Sequence, residues 1–450
     1  MVKLINSWFR NHRRLNALFF NTGWLVFKNC FRLLVSFIVS ILVARYLGPR
    51  DFGIFSYALS IVTFLGTFTY LGLSGIIIRD LVRFPQEKNA ILGTTFALKF
   101  IGGALVYLLV ILIVKFTDAG NTPEYWVLLI LGLSLFAYPF EVIELWFNSQ
   151  TQAKYAVIAT SAALVLASLL KIICIVFKAS LLLIALATSG EFFITGVLLI
   201  LAYRYKGFSI LDWTVKIKKA RELLGQSWIL ILSGALALVN LKVDQIMLRW
   251  IKGAEAVGIY SVAAKISEAW YFLPAAISLS VYPKLLELRK TNKAAYERRL
   301  QQLIDILFVA ALLIAVFINF TAYPVINLLY GIKFSSAAPV LIIHIWAGIF
   351  IFMRFIFIRW VFIENELFFS LVSSASGAMI NFLLNLYFIP KLGGIGAAIA
   401  TLVSYATASY FSLFFYAKTW PLAKMMSKSL ILPIRFVGEI ARSGIKKIFV

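Results

Sequence analysis

Apolar runs of about twenty residues recur from Trp24 to Tyr416, separated by short polar stretches. A helix needs roughly that length to cross a hydrocarbon core about 30 Å thick. The pattern predicts an all-α polytopic membrane protein with about twelve spans, near 22–45, 53–78, 90–115, 124–146, 155–177, 180–203, 227–249, 258–282, 302–330, 338–362, 367–389 and 394–416. Gly48-Pro49, Pro123, Pro283, Pro390 and Gly393-Gly394 mark ends of these runs. The run 302–330 is long for one span, and Pro324 is expected to break it. The spans divide the chain into a basic N-terminus (1–21), a six-helix bundle (22–203), a basic linker (204–226), a second six-helix bundle (227–416) and a basic tail (417–450).

Composition supports a hydrocarbon solvent. Of 450 residues, 62% are hydrophobic, where a soluble domain has about half; the mean hydropathy is +0.92. The start, Met1 to Asn21, is polar and basic, and the first apolar run is too long for a signal peptide. Cys30 and Cys174 both lie in apolar runs and read as small buried thiols, not as a disulfide framework or a metal site.

The net charge of +24 would suggest nucleic-acid binding in a soluble protein. Here the basic residues sort by side of the membrane. The termini, Arg79 to Lys88, Lys154, Arg204 to Arg221 and Lys284 to Arg299 hold most of them. The intervening connections hold few, among them Arg45, Lys115, Lys178, Lys333 and Lys391. The positive-inside rule then places both termini in the cytoplasm, which needs an even number of spans. The longest connections, 204–226 and 283–301, read either as basic amphipathic helices on anionic lipid or as topogenic charge alone. The tail reads as interfacial, since Pro433 and Arg435 interrupt its apolar residues.

The two halves resemble each other. ARYLGPRDFGIFSYA at 44–58 aligns, with one insertion, to LRWIKGAEAVGIYSVA at 248–263, and Ala185-Leu186-Ala187-Thr188 matches Ala398-Ile399-Ala400-Thr401. A six-helix repeat puts the halves in the same orientation, related by an axis along the membrane normal.

Charges fall inside the spans: Lys28, Arg32, Lys99, Lys171, Lys242, Lys265, Arg354 and Arg359, with Glu141, Glu144, Glu191, Asp244 and Glu268. A charge at the membrane centre costs at least about 2.5–3.5 kcal/mol on insertion scales, so these residues should line an aqueous cavity or pair. Lys28 and Arg32 share one helix face. With Lys99 and Arg354 they would form an inner cationic patch; Lys171, Lys242 and Lys265 would form an outer one. Arg359, Glu141 and Glu144 read as side chains reaching the headgroups. Lys265 and Glu268 would either pair or face the cavity, and His344 would either pack or relay protons. The excess of base suits an anionic passenger such as a pyrophosphate, which arginine grips bidentately.

The strings ARYLGPRDFGIFSYA and LGLSGIIIRDLVR (71–83), with VDQIMLRWIKGAEAVGIYSVAAKISEAW (243–270) and NFLLNLYFIPKLGGIGAAIAT (381–401), resemble the oligosaccharide flippases of the multidrug/oligosaccharidyl-lipid/polysaccharide exporter superfamily. The resemblance implies two bundles around a cavity opening alternately to either side of the bacterial inner membrane. It implies an undecaprenyl-pyrophosphate-linked repeat unit as passenger, bound for O-antigen, capsule or exopolysaccharide assembly, and polymerase or other assembly proteins as partners. No covalent chemistry, metal or cofactor is implied. Coupling to a proton or sodium gradient would use Glu191 or Asp244. A peptidoglycan-precursor flippase shares the chemistry; a multidrug exporter would carry cations and need excess acid. An enzyme acting on lipid-linked sugars would need a large external loop and a catalytic acid pair. The external connections are short, and there is no phosphate-cradling loop.

Overall fold

The computed structural model describes residues 2–116 and 122–432, with side chains from residue 21 onward except at 116, 229, 233, 237 and 240. It is helical, and no strand occurs among the described residues. The expected basic N-terminus and the tail from Pro433 lie outside the described side chains. Helices α1 (Val2–Tyr70), α2 (Ser74–Arg83), α3 (Lys88–Phe116), α4 (Pro123–Gly132), α5 (Glu141–Ser149), α6 (Ala153–Val176) and α7 (Leu181–Tyr205) precede α8 (Ile217–Lys252). Then follow α9 (Ala254–Glu268), α10 (Phe272–Thr291), α11 (Lys293–Tyr330), α12 (Ala337–His344), α13 (Ala347–Glu364), α14 (Leu367–Leu392), α15 (Gly394–Ser409) and α16 (Trp420–Leu430).

Among the described residues, eight helical stretches are long and apolar enough to cross a membrane, or ten if each of two bent pairs is one span. The stretch Asn21–Arg83 is counted once but covers two expected spans. Others are subdivided: 3₁₀ turns at Leu133–Phe136 and Tyr138–Phe140 separate α4 from α5, and Ala269–Tyr271 separates α9 from α10. The outer surfaces are oily, with Leu105, Leu313 and Met379 all more than 60% exposed, while Lys99 and Asn381 are fully buried. This inverted distribution is what lipid as solvent demands. The protein is a multi-pass membrane protein.

The chain forms two compact units, Met1–Ile246 and Met247–Val450. The boundary lies inside α8 and not in the stretch 204–226 expected to link the halves. That stretch is held by the first unit. The Thr214 amide donates to the Asn89 carbonyl (3.2 Å), and the Lys216 amide donates to Thr94 Oγ1 (3.0 Å). Lys219 pairs with Glu87 at 2.9 Å. Gly93 makes the approach possible: a Cβ there would lie 2.5 Å from the Thr214 carbonyl oxygen. In the second unit α14 and α15 pack as a close pair, and α11 lies against α12, α13 and α16.

Two expectations about the second unit need correction. Pro324 does not break α11, which runs unbroken from Lys293 to Tyr330; a membrane helix tolerates the lost hydrogen bond where neighbours re-satisfy the carbonyl. Nor is 283–301 a separate surface helix. α10 continues through Pro283 to Thr291, Asn292 turns the chain and caps α11 by accepting from the Ala295 amide (2.9 Å). Arg289 then ties α10 to the end of α13 through a two-pronged contact with Glu364 (2.7 and 2.8 Å). The described part of the tail is packed: α16 buries Leu422, Ala423 and Met426, and Gln301 Nε2 donates to the Met425 carbonyl (3.1 Å).

The repeat has a backbone signature. Gly48 breaks α1 at φ 76°, ψ 176°. At the aligned position in the second half, Gly253 sits between α8 and α9 at φ 88°, ψ 178°. Only glycine adopts this region without strain of about 1–3 kcal/mol. An added Cβ would meet nothing within 4 Å at either site, so the backbone alone imposes the constraint. Gly48→Ala and Gly253→Ala are each expected to lower stability by about 1–3 kcal/mol. Thermal unfolding of the detergent-solubilised protein checks this. Gly75→Ala, in open space on α2, should leave the midpoint unchanged or raise it.

Candidate functional site

The first unit brings most of its membrane charges together. Helix periodicity puts Lys28 and Arg32 on one face of α1, four residues apart, and Glu141 and Glu144 on one face of α5, three apart. Lys28 forms an ion pair with Glu144. Lys99, on α3, reaches Glu141 at 2.5 Å. Lys171, on α6, reaches Glu191, on α7, at 3.0 Å. Arg32 approaches the other oxygen of Glu191 at 3.8 Å.

Lys99 is the most enclosed of these cations. Its ammonium is fully buried and lies 5.3 Å from the centre of the Tyr70 ring. Tyr70 in turn stacks on Tyr138, with centroids 4.7 Å apart. Ser74 Oγ donates to the remaining oxygen of Glu141 (3.3 Å). Such a pair is tolerated in low dielectric because each charge is matched and hydrogen-bonded.

Four cations therefore face three carboxylates: Lys28, Arg32, Lys99 and Lys171 against Glu141, Glu144 and Glu191. The surplus falls on Arg32. Its contact is the longest, it shares its acid with Lys171, and its side chain is 52% exposed where the other three cations stay at 15% or less. Arg32 is the cation in this cluster with donors to offer a further anion.

These contacts correct the sequence reading at several points. Lys28, Lys99 and Lys171 each take the pairing alternative, with an acid on another helix. Glu141 and Glu144 are their partners and do not merely reach for headgroups. Arg32 and Lys171, assigned to inner and outer patches, meet at the same carboxylate. The signal available in the sequence was the match of two short spacings, Lys28 to Arg32 and Glu141 to Glu144.

The second unit handles its buried cation differently. Arg354, on α13, donates to Ser373 Oγ (2.9 Å), Ser374 Oγ (2.6 Å) and the Ala408 carbonyl, and its guanidinium lies 4.3 Å from the Phe357 ring centre. No carboxylate pairs with it among the described residues. A polar ladder continues on α14 and α15: Asn385 donates to Asn381 (3.0 Å), and Asn381 to Ser404 (3.4 Å). His344 packs its ring against Tyr260 at 5.8 Å, and Tyr260 contacts Thr401 at 3.2 Å through its hydroxyl.

Lys242 and Asp244 belong to the first unit, Lys265 and Glu268 to the second. Asp244 is buried, and the others are partly so. Lys171 and Lys242 lie in the first unit and Lys265 in the second. Arg359 lies 5.5 Å from the Tyr282 ring centre. No cluster of metal-ligating side chains occurs among the described residues.

Comparison with known proteins agrees with this architecture. A segment of the chain is 30% identical over 185 residues to the probable flippase AglR of Haloferax volcanii, covering 37% of this chain and 36% of AglR. The fold is similar to that of the lipid II flippase MurJ in an inward closed conformation, with a TM-score of 0.69, 17% identity and 90% of each chain covered. It is equally similar to an inward-facing multidrug resistance MATE family transporter of the MOP superfamily, with a TM-score of 0.68, 15% identity, and 88% of this chain and 95% of that one covered. At those identities the likeness is one of fold. The family model for polysaccharide biosynthesis proteins matches residues 18–289, more than half of the chain, and so takes in the whole ion-pair cluster of the first unit. This protein belongs to the polysaccharide biosynthesis protein family.

Proposed function

We propose that this protein is a flippase for polyprenyl-pyrophosphate-linked oligosaccharides, with undecaprenyl as the carrier in a bacterial inner membrane. It would serve O-antigen, capsule or exopolysaccharide assembly, with both termini cytoplasmic and polymerase or other assembly proteins downstream. The observation that carries the reading is the single surplus cation, Arg32, at the edge of an otherwise neutralised cluster. A transporter needs an anion site that is attractive yet easily left, and one exposed guanidinium beside a competing carboxylate meets both requirements. Family membership and the AglR similarity support a lipid-linked sugar as passenger.

In this reading Arg32 and Lys171 contact the pyrophosphate, while Glu191 yields its share of both cations when the passenger arrives. Lys28 and Lys99 hold helices α1, α3 and α5 in register through Glu144 and Glu141. Arg354 would add to the inner attraction, and Lys242 and Lys265 would serve the later part of the path. Glu191, the carboxylate two cations share, is the foremost candidate for coupling to a proton or sodium ion, with Asp244 as the alternative. Transport proceeds by alternating access, and no bond is made or broken. A lipid-linked peptidoglycan precursor is a second reading, favoured by the MurJ-like fold; it presents the same pyrophosphate. A cationic drug, suggested by the MATE-like fold, would meet a cluster with the wrong net charge.

Flipping of a fluorescent polyprenyl-pyrophosphate oligosaccharide in proteoliposomes tests the proposal. Arg32→Ala should lower the rate at least about tenfold, the loss of one charge-assisted contact worth about 1.5 kcal/mol. Lys171→Ala should also lower it, while Lys218→Ala on the exposed linker should not. No movement of any polyprenyl-linked sugar, together with efflux of cationic dyes, would assign the chain to the multidrug exporters instead.

The structural role of the enclosed pair has its own test. Lys99→Met leaves Glu141 without its cation and is expected to cost about 3–5 kcal/mol. The double variant Lys99→Met/Glu141→Gln should recover most of that loss. Thermal unfolding of the purified variants gives both values, and equal losses in the single and double variants would remove the pair from this role.

A further inference from the structure

We propose that the hollow between α10 and α11 binds the phosphate of an anionic membrane-lipid headgroup. A cavity of about 530 Å³ opens where the two helices meet at Asn292, within the size range of small-ligand sites. Lys284, Arg298 and Arg299 line it with Asn292 and Gln302, and no carboxylate does. Lys284 shares its charge with Glu287 at 2.9 Å. Among the described residues Arg299 reaches Gln302 Oε1, at 3.5 Å. Neither arginine has an ion-pair partner among the described residues. Two unpaired guanidinium groups at the entrance of a long helix, whose first turn also presents positive partial charge, suit a phosphate.

The form of the surface favours a lipid over a soluble anion. Arg299, Gln302, Ile306 and Leu313 follow one another at spacings of three, four and seven residues, so they share one face of α11. That face passes from the cationic hollow to hydrocarbon side chains, with Ile306 59% and Leu313 64% exposed. A headgroup seated in the hollow would lay its acyl chains along this strip. Leu288 completes the lining on the α10 side. The site is remote in sequence from the cluster around Arg32, so it stands or falls independently of the transport reading.

Native mass spectrometry of the full-length protein in detergent, titrated with phosphatidylglycerol, phosphatidylcholine or inorganic pyrophosphate, tests the proposal. The wild type should bind its first phosphatidylglycerol more tightly than phosphatidylcholine. Arg298→Gln/Arg299→Gln should weaken phosphatidylglycerol binding about 25-fold, or about fivefold for each basic group removed, and Lys284→Gln alone about fivefold. Lys391→Gln, a basic residue over the Tyr387 ring and outside the hollow, should change nothing. Two results would overturn the proposal: equal phosphatidylglycerol affinity in the wild type and the arginine variant, or displacement of the lipid by pyrophosphate at comparable concentration, which would assign the hollow to a soluble anion.

Discussion

A charge cannot remain unmatched in hydrocarbon, and the first unit is organised around that constraint. Lys28, Lys99 and Lys171 are each drawn to a carboxylate on another helix. Their pairs join α1 to α5, α3 to α5 and α6 to α7. Hydrophobic contact holds helices together weakly when the solvent is itself apolar. Ionic and hydrogen-bonded contacts then set which faces meet. Arg32 is the remainder of this matching.

The second unit meets the same constraint with neutral groups. Arg354 is surrounded by hydroxyl and carbonyl oxygens and by the Phe357 ring. Asn381, Asn385 and Ser404 form a buried hydrogen-bonded ladder alongside. Small residues let α14 and α15 approach closely enough for this: a Cβ on Gly377 would lie 2.7 Å from the Ala408 Cβ. A guanidinium held by neutral acceptors keeps its full charge, whereas the lysines of the first unit are electrically cancelled.

Much of the fold was legible in the sequence. Hydropathy located the apolar helices, and the glycines of the two aligned strings proved to break the helices with nearly the same backbone angles. Subdivisions at Ala137 and Ala269 were not legible, because a 3₁₀ turn inside an apolar run leaves hydropathy unchanged. Pro324 misled for a related reason: its cost depends on which neighbours satisfy the freed carbonyl. The candidate site was half legible. A sequence shows the depth of a charge and its own helix face, so Lys28, Arg32, Lys99 and Lys171 stood out. It does not show which helix lies opposite, so Glu141, Glu144 and Glu191 were not recognised as their partners. The basic stretches 204–226 and 283–301 looked alike in composition, yet one docks on α3 through the Gly93 gap and the other encloses a cationic hollow.

Arg32 is a surplus cation restrained by Glu191, an acid that it shares with Lys171. The most direct measurement is the affinity of the purified protein for a polyprenyl pyrophosphate in lipid nanodiscs, in the wild type and in Glu191→Gln. Removing the competing carboxylate frees both Arg32 and Lys171, so binding should be tighter in the variant. Weaker or unchanged binding would contradict it, and would show that the carboxylate itself, not the cations it restrains, holds the passenger.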